Sequence, residues 1–127
     1  MRFLLDTHTL IWLIEASSRV SDNIKEELKC PGNSVYLSSV SLWEIVIKSN
    51  LGKLNMKMSL DKLLFDLNRT NINILQIENE YLKMLKTLPW IHKDPFDRLL
   101  ISTALVEGLT FITADENIQK YDITCVW

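Results

Sequence analysis

Five short apolar segments punctuate the chain, at about 2–5, 34–38, 72–77, 109–113 and 123–126. Most are continuous, as in Ser34-Val35-Tyr36-Leu37-Ser38 and Leu109-Thr110-Phe111-Ile112-Thr113. Continuous runs suit parallel strands covered on both faces, whereas strands with one wet face alternate. Helical patterns fill the intervals. Thr9 to Ala16 is short and apolar. Ser21-Asp22 offers a cap and an acidic first turn for a helix reaching Cys30, where Pro31-Gly32 stops it. Ser41 to Asn50 closes at Gly52, and Ser59 to Arg69 sets Leu60, Leu63, Leu64 and Leu67 on one stripe. Glu78 to Leu88 ends before Pro89. Asp94-Pro95 opens a helix that carries Leu99, Leu100, Ala104 and Leu105 to Gly108, and Asp115 to Tyr121 is the last. Strands alternating with helices predict an α/β fold, a three-layer α/β/α domain around a five-stranded parallel sheet with right-handed crossovers.

Composition narrows the class. At 127 residues the chain fits one domain over 1–127, and 47% hydrophobic residues suffice for a core. The longest apolar run, Leu10 to Ile14, is far too short to span a membrane. Asp6 interrupts any signal-peptide pattern, so a cytoplasmic protein is expected. Cys30 and Cys125 belong to no metal-spacing motif and read as buried free thiols. The net charge of −2 argues against a strongly basic nucleic-acid coat. It does not exclude a nuclease, because a carboxylate metal site is itself acidic.

Four acids stand where strands end or helices begin: Asp6, Glu44, Asp97 and Asp115. Ligands of open parallel sheets bind outside the carboxyl ends of the strands, at the switch point in strand order. Asp6 and Asp115 both follow strands and fall at that end. If the fold converges all four, they form a hard-oxygen cage suited to Mg²⁺ or Mn²⁺. Each also has a plain structural reading. Asp6 and Asp115 read equally as helix caps, and Asp97 as a first-turn acid favoured by the helix dipole. Glu44 follows Ser41 at capping-box spacing and precedes Lys48 at the spacing of a helix ion pair. Four independent caps need not converge, whereas a metal site must. Thr113, two residues before Asp115, and the Thr7-His8-Thr9 cluster after Asp6 supply polar neighbours for carboxylates.

Taken together, Phe3-Leu4-Leu5-Asp6-Thr7-His8, Ser41-Leu42-Trp43-Glu44-Ile45, His92 to Ile101 and Phe111-Ile112-Thr113-Ala114-Asp115 resemble the PIN domain. The branch they resemble most is the VapC-like toxin group of bacterial toxin–antitoxin pairs. The resemblance implies that Asp6, Glu44, Asp97 and Asp115 form a Mg²⁺ or Mn²⁺ site that cleaves single-stranded RNA. It implies a homodimer held inactive by a cognate antitoxin. Within that picture Asp6 and Asp97 are direct ligands, and Glu44 is a ligand or a base acting through water. Asp115 completes a second position or the outer shell. Thr7, Thr113 and Asp94 are candidate supporting groups, with Asp94 before Pro95 placed best as a cap.

Two other classes compete. A haloacid-dehalogenase-type phosphatase also places an aspartate after the first strand, but wants a second aspartate two positions on, where this chain has His8. A non-catalytic binding or regulatory module such as a phospho-receiver wants an aspartate ending the third strand, yet Ile74-Leu75-Gln76-Ile77 carries none. His8 reads as a substrate contact or a polar structural residue, and His92 as loop. Lys48 and Arg98 read as phosphate-steering groups or solvated helix charges. Trp12, Trp43, Trp90 and Trp127 read as core or interface anchors.

Overall fold

The computed structural model describes residues 1–127. Five strands form one sheet: β1 (Arg2–Leu5), β2 (Ser34–Ser38), β3 (Ile72–Leu75), β4 (Thr110–Ile112) and β5 (Cys125–Val126). Their order is β3-β2-β1-β4-β5, and every pairing is parallel. The helices are α1 (Thr7–Ile14), α2 (Asp22–Lys29), α3 (Ser39–Asn50), α4 (Leu60–Asn68), α5 (Asn79–Thr87), α6 (Pro95–Glu107) and α7 (Glu116–Gln119). The chain builds outward from β1 to β2 and β3, then returns to place β4 on its other side. Strand order therefore reverses at β1, and the crevice between the carboxyl ends of β1 and β4 is the place this topology reserves for a ligand.

Alternation along the strands divides the core in two. Phe3, Leu5, Val35, Leu37 and Ile112 pack with Leu10, Ile11, Ile24, Leu63 and Leu67, drawing α1, α2 and α4 onto one face. Leu4 and Phe111 point the other way and pack with Tyr81, Leu99, Leu100, Ala104 and Ile118, drawing α5, α6 and α7 onto the second. Helix α3 serves both layers, with Ile45 in the first and Val40 in the second. The expected three-layer α/β/α architecture is what the chain adopts. No helix is long and apolar enough to cross a membrane.

Several boundaries differ from the pattern-based reading. Strand β3 stops at Leu75 because β2 ends at Ser38, its register partner there, so Gln76 and Ile77 have nothing to pair with. As an edge strand β3 is also half-exposed, not covered on both faces. Helix α1 starts at Thr7, directly after Asp6, with no intervening loop. Helix α3 starts at Ser39, because the Val40 N–H donates to Ser38 Oγ at 3.1 Å. Ser38 is therefore its cap, and Ser41 is not. Gly52 (φ +70°) and Gly108 (φ +65°) take the left-handed conformation just past α3 and α6, where a side chain would be strained. Cys30 is exposed, not buried, since it caps the surface end of α2 before the Pro31-Gly32 turn. Cys125 is half-buried, and burial raises its thiol pKa.

Candidate active site

Asp6 occupies the N-cap position of α1 with extended backbone (φ −66°, ψ 151°), yet its carboxylate makes no capping hydrogen bond. It turns across the crevice between β1 and β4. There Thr113 Oγ1 donates to Oδ2 at 2.8 Å, linking residues 107 apart in sequence. The other oxygen, Oδ1, is buried without a hydrogen-bond partner. A buried acceptor in that state costs on the order of 1–3 kcal/mol, so its retention is a signal of use. Burial raises the Asp6 pKa to about 6, and Glu44 adds to the rise. The Thr113 hydrogen bond, the nearby His8 and the adjacent Thr7 N–H pull it partly back.

Glu44 is 1% exposed, in the second turn of α3. The Thr7 hydroxyl lies 2.8 Å from Glu44 Oε1 and 2.8 Å from Ser41 Oγ. A hydroxyl has one proton and a carboxylate only accepts, so Thr7 donates to Glu44 and Ser41 donates to Thr7. Lys48 Nζ donates to Glu44 Oε2. Burial works against the Lys48 charge, but Glu44 outweighs it, with help from Asp94 and Asp97, and the lysine pKa rises.

Asp97 lies in the first turn of α6 and is almost fully buried. Its pKa is pushed up to about 8, first by burial and then by the charges of Asp6, Asp94, Glu44 and Asp115. All four expected acids, together with Asp94, thus share one electrostatic neighbourhood. They are not a closed cage as oriented, for no three His, Cys, Asp or Glu side chains stand ready to hold an ion together. The hydrogen bonds explain this: Glu44 is turned to Thr7 and Lys48, and Asp6 to Thr113. The donor set is all hard oxygen, and Asp6 Oδ1 is an unused buried acceptor, so the residues fit a small divalent cation in kind.

The remaining acids behave as caps. Asp94 Oδ1 accepts from the N–H groups of Phe96 (2.9 Å) and Asp97 (3.0 Å). Asp115 Oδ1 accepts from Asn117 N–H (2.8 Å), and its own N–H donates to Thr113 Oγ1 (3.0 Å). Thr113 therefore ties Asp6 to the strand that delivers Asp115.

A family model for the PIN domain matches residues 3–123. This chain belongs to the PIN-domain family. The PIN fold is also what it shares with solved structures. The crystal structure of VapBC2 from Rickettsia felis, bound to a DNA fragment from their promoter, superposes with a TM-score of 0.75. The two sequences are 18% identical, over 99% of this chain and 98% of that one. DNA-bound VapBC from Salmonella typhimurium gives 0.70 at 15% identity, covering 99% and 97%. VapBC-1 from nontypeable Haemophilus influenzae gives 0.69 at 17%, also covering 99% and 97%. No curated protein matches the sequence. Membership of the PIN family sets aside the haloacid-dehalogenase and phospho-receiver readings.

The candidate site also has neighbours that residue spacing did not point to. His92 Nε2 lies 3.3 Å from Asp97 Oδ2, so this loop residue borders the candidate site. The Tyr121 hydroxyl oxygen accepts from the His92 N–H and from Arg98 Nη1, which leaves its single proton for His92 Nδ1, 2.9 Å away. That assignment puts the imidazole proton on Nε2, facing Asp97. Arg98 is neither solvated nor free to steer a phosphate. It is buried, donates to the carbonyls of Leu88 and Pro89, and stacks 3.8 Å over Trp90. Its position next to Asp97 carries no hint of this, because loop 88–92 folds back onto it only in three dimensions. None of the four tryptophans is buried: Trp43, Trp90 and Trp127 are exposed, and Trp12 is half-covered, with Trp127 edge-on to it. His8 is exposed, with its ring 6.0 Å from that of Trp12.

Proposed function

We propose that this PIN-domain chain is a divalent-metal-dependent endoribonuclease that cleaves single-stranded RNA, the VapC-like toxin of a toxin–antitoxin pair. The observation that carries the reading is Asp6 Oδ1, a buried carboxylate oxygen left unpaired at the switch point of a parallel sheet. The fold likeness to VapBC proteins supports the toxin assignment. By the same likeness a cognate antitoxin and a second copy of the chain are the expected partners, residues 1–127 act as one domain, and the cytoplasm is the place of action.

Asp6 and Asp97 would hold the ion directly. Glu44 would bind it or act as a base through water, and Asp115 would offer the oxygen that does not cap α7. When bound, Mg²⁺ or Mn²⁺ supplies Lewis acidity toward a phosphate and toward water. The chain's own residues do the rest. Thr113 and Thr7 hold the Asp6 and Glu44 carboxylates in fixed rotamers. Asp94 orders the first turn of α6 and so sets the direction of Asp97. His92 holds a proton at Nε2 beside Asp97 Oδ2, ready to stabilise its negative charge.

The decisive experiment incubates purified, antitoxin-free protein with single-stranded RNA, with Mn²⁺ and with a chelator. Cleavage is expected with Mn²⁺ and none with chelator. RNA left intact in the presence of Mn²⁺ would end the ribonuclease reading.

A further inference from the structure

Two ion pairs in this protein share the same spacing along a helix but not the same surroundings. Lys62 and Asp66 on α4 meet at 2.8 Å with side chains 57% and 39% exposed. So exposed a pair contributes little to stability. Lys48 and Glu44 on α3 are different, for the Glu44 side chain is 2% exposed and the Lys48 side chain 27%. Water is excluded from this carboxylate, and Lys48 is the only cation bonded to it. The ammonium also lies 5.9 Å over the ring of Phe96, the residue before Asp97, so it reaches from α3 to the start of α6. Its charge is felt by Asp94 and Asp97 as well as by Glu44. Lys48 thus stands against the oxygens that a divalent ion would need and occupies Glu44 Oε2.

We propose that Lys48 is the resident counter-cation of the carboxylate cluster: it neutralises Glu44 in the metal-free chain, and a divalent ion gains Glu44 only by displacing it. This rests on the reading above, in which Glu44 takes part in holding the metal. Like-charged buried carboxylates without a cation raise the free energy of the fold. Lys48 relieves that repulsion before metal arrives and competes with metal once it does. It is a positioning residue, acting through Glu44.

Mn²⁺ affinity, measured by calorimetry without RNA, tests this on wild type, Lys48→Met, Lys48→Gln and Lys48→Arg. Gln keeps a hydrogen-bond donor toward Glu44 and removes only the charge. Both neutral variants are expected to bind Mn²⁺ roughly tenfold tighter, from the loss of a close, partly buried competing charge. Arg is expected to bind about as wild type does. Without metal, the neutral variants melt at lower temperature, and saturating Mn²⁺ closes the gap. If they fail to fold alone, refolding on addition of Mn²⁺ supports the proposal, and failure to refold overturns it. Unchanged or weaker Mn²⁺ binding in both neutral variants also overturns it. Absence of Mn²⁺ binding by the wild type would instead remove the metal-site reading on which the proposal stands.

Discussion

Helices α1 and α6 begin with the same residue type in the same position and put it to opposite use. Asp94 caps α6 in the ordinary way, with Oδ1 accepting from two first-turn N–H groups. Asp6 holds the equivalent place on α1, with a similar extended backbone, and caps nothing. The difference comes from what lies beside each. Helix α6 starts from a loop, and the hydrogen bonds that Asp94 accepts come from its own helix's amides. Helix α1 starts at the end of the central strand, where β4 delivers the Thr113 hydroxyl to the Asp6 carboxylate. An aspartate at a helix start is thus a cap by default, and a neighbouring strand can reassign it.

The strongest probe of this contrast is Asp6→Asn. Metal-dependent RNA cleavage is expected to fall by more than about a hundredfold, beyond what loss of a supporting hydrogen bond does. The fold should be retained or gain stability at neutral pH, because a carboxylate that resists ionisation becomes a neutral amide. Circular dichroism melting checks the second point. An unfolded variant would mean that Asp6 is structural after all.

A smaller effect concerns pH. Asp6 and Asp97 have folded pKa values of about 6 and about 8, above their ordinary value of 3.8. Between about pH 4 and 8 the folded chain therefore binds more protons than the unfolded one, so stability falls as pH rises through that window. Metal-free protein should melt at a lower temperature at pH 8 than at pH 5, and Asp97→Asn should remove much of the slope. A melting temperature that holds level or climbs over this range would contradict the crowding of acids described here.

The smallest effect belongs to the cap. Asp94→Ala should cost about 1 kcal/mol in urea denaturation, while Asp94→Asn, which still accepts from the same N–H groups, should cost a few tenths. Equal losses in the two variants would show that the Asp94 charge matters more than its capping geometry.

Much of the fold was legible in the order of residues. All five strands announced themselves as apolar runs, and Asp94-Pro95 and Gly108 marked both ends of α6. Asp6, Asp97 and Asp115 were legible as positions, because carboxyl ends of parallel strands and first turns of helices are few; Glu44 falls in the second turn of α3, since that helix starts at Ser39. Their orientation was not. Spacing does not separate the Glu44–Lys48 pair from that of Lys62 and Asp66, whose charges run in the opposite order; it is burial that sets their surroundings apart. Cys30 and the tryptophans misled for the same reason, since residue type gives only an average exposure.

What the linear chain determined is therefore the alternation of strands and helices and the identity of the acids that close the strands. Both are local properties of hydrophobic period and capping chemistry. What only the folded chain decided is which acid is spent as a cap, which is left with an unpaired oxygen, and which is held by a lysine. Those outcomes depend on groups brought together from distant parts of the sequence, such as Thr113 on Asp6 and Tyr121 on His92, and on the exclusion of water around them.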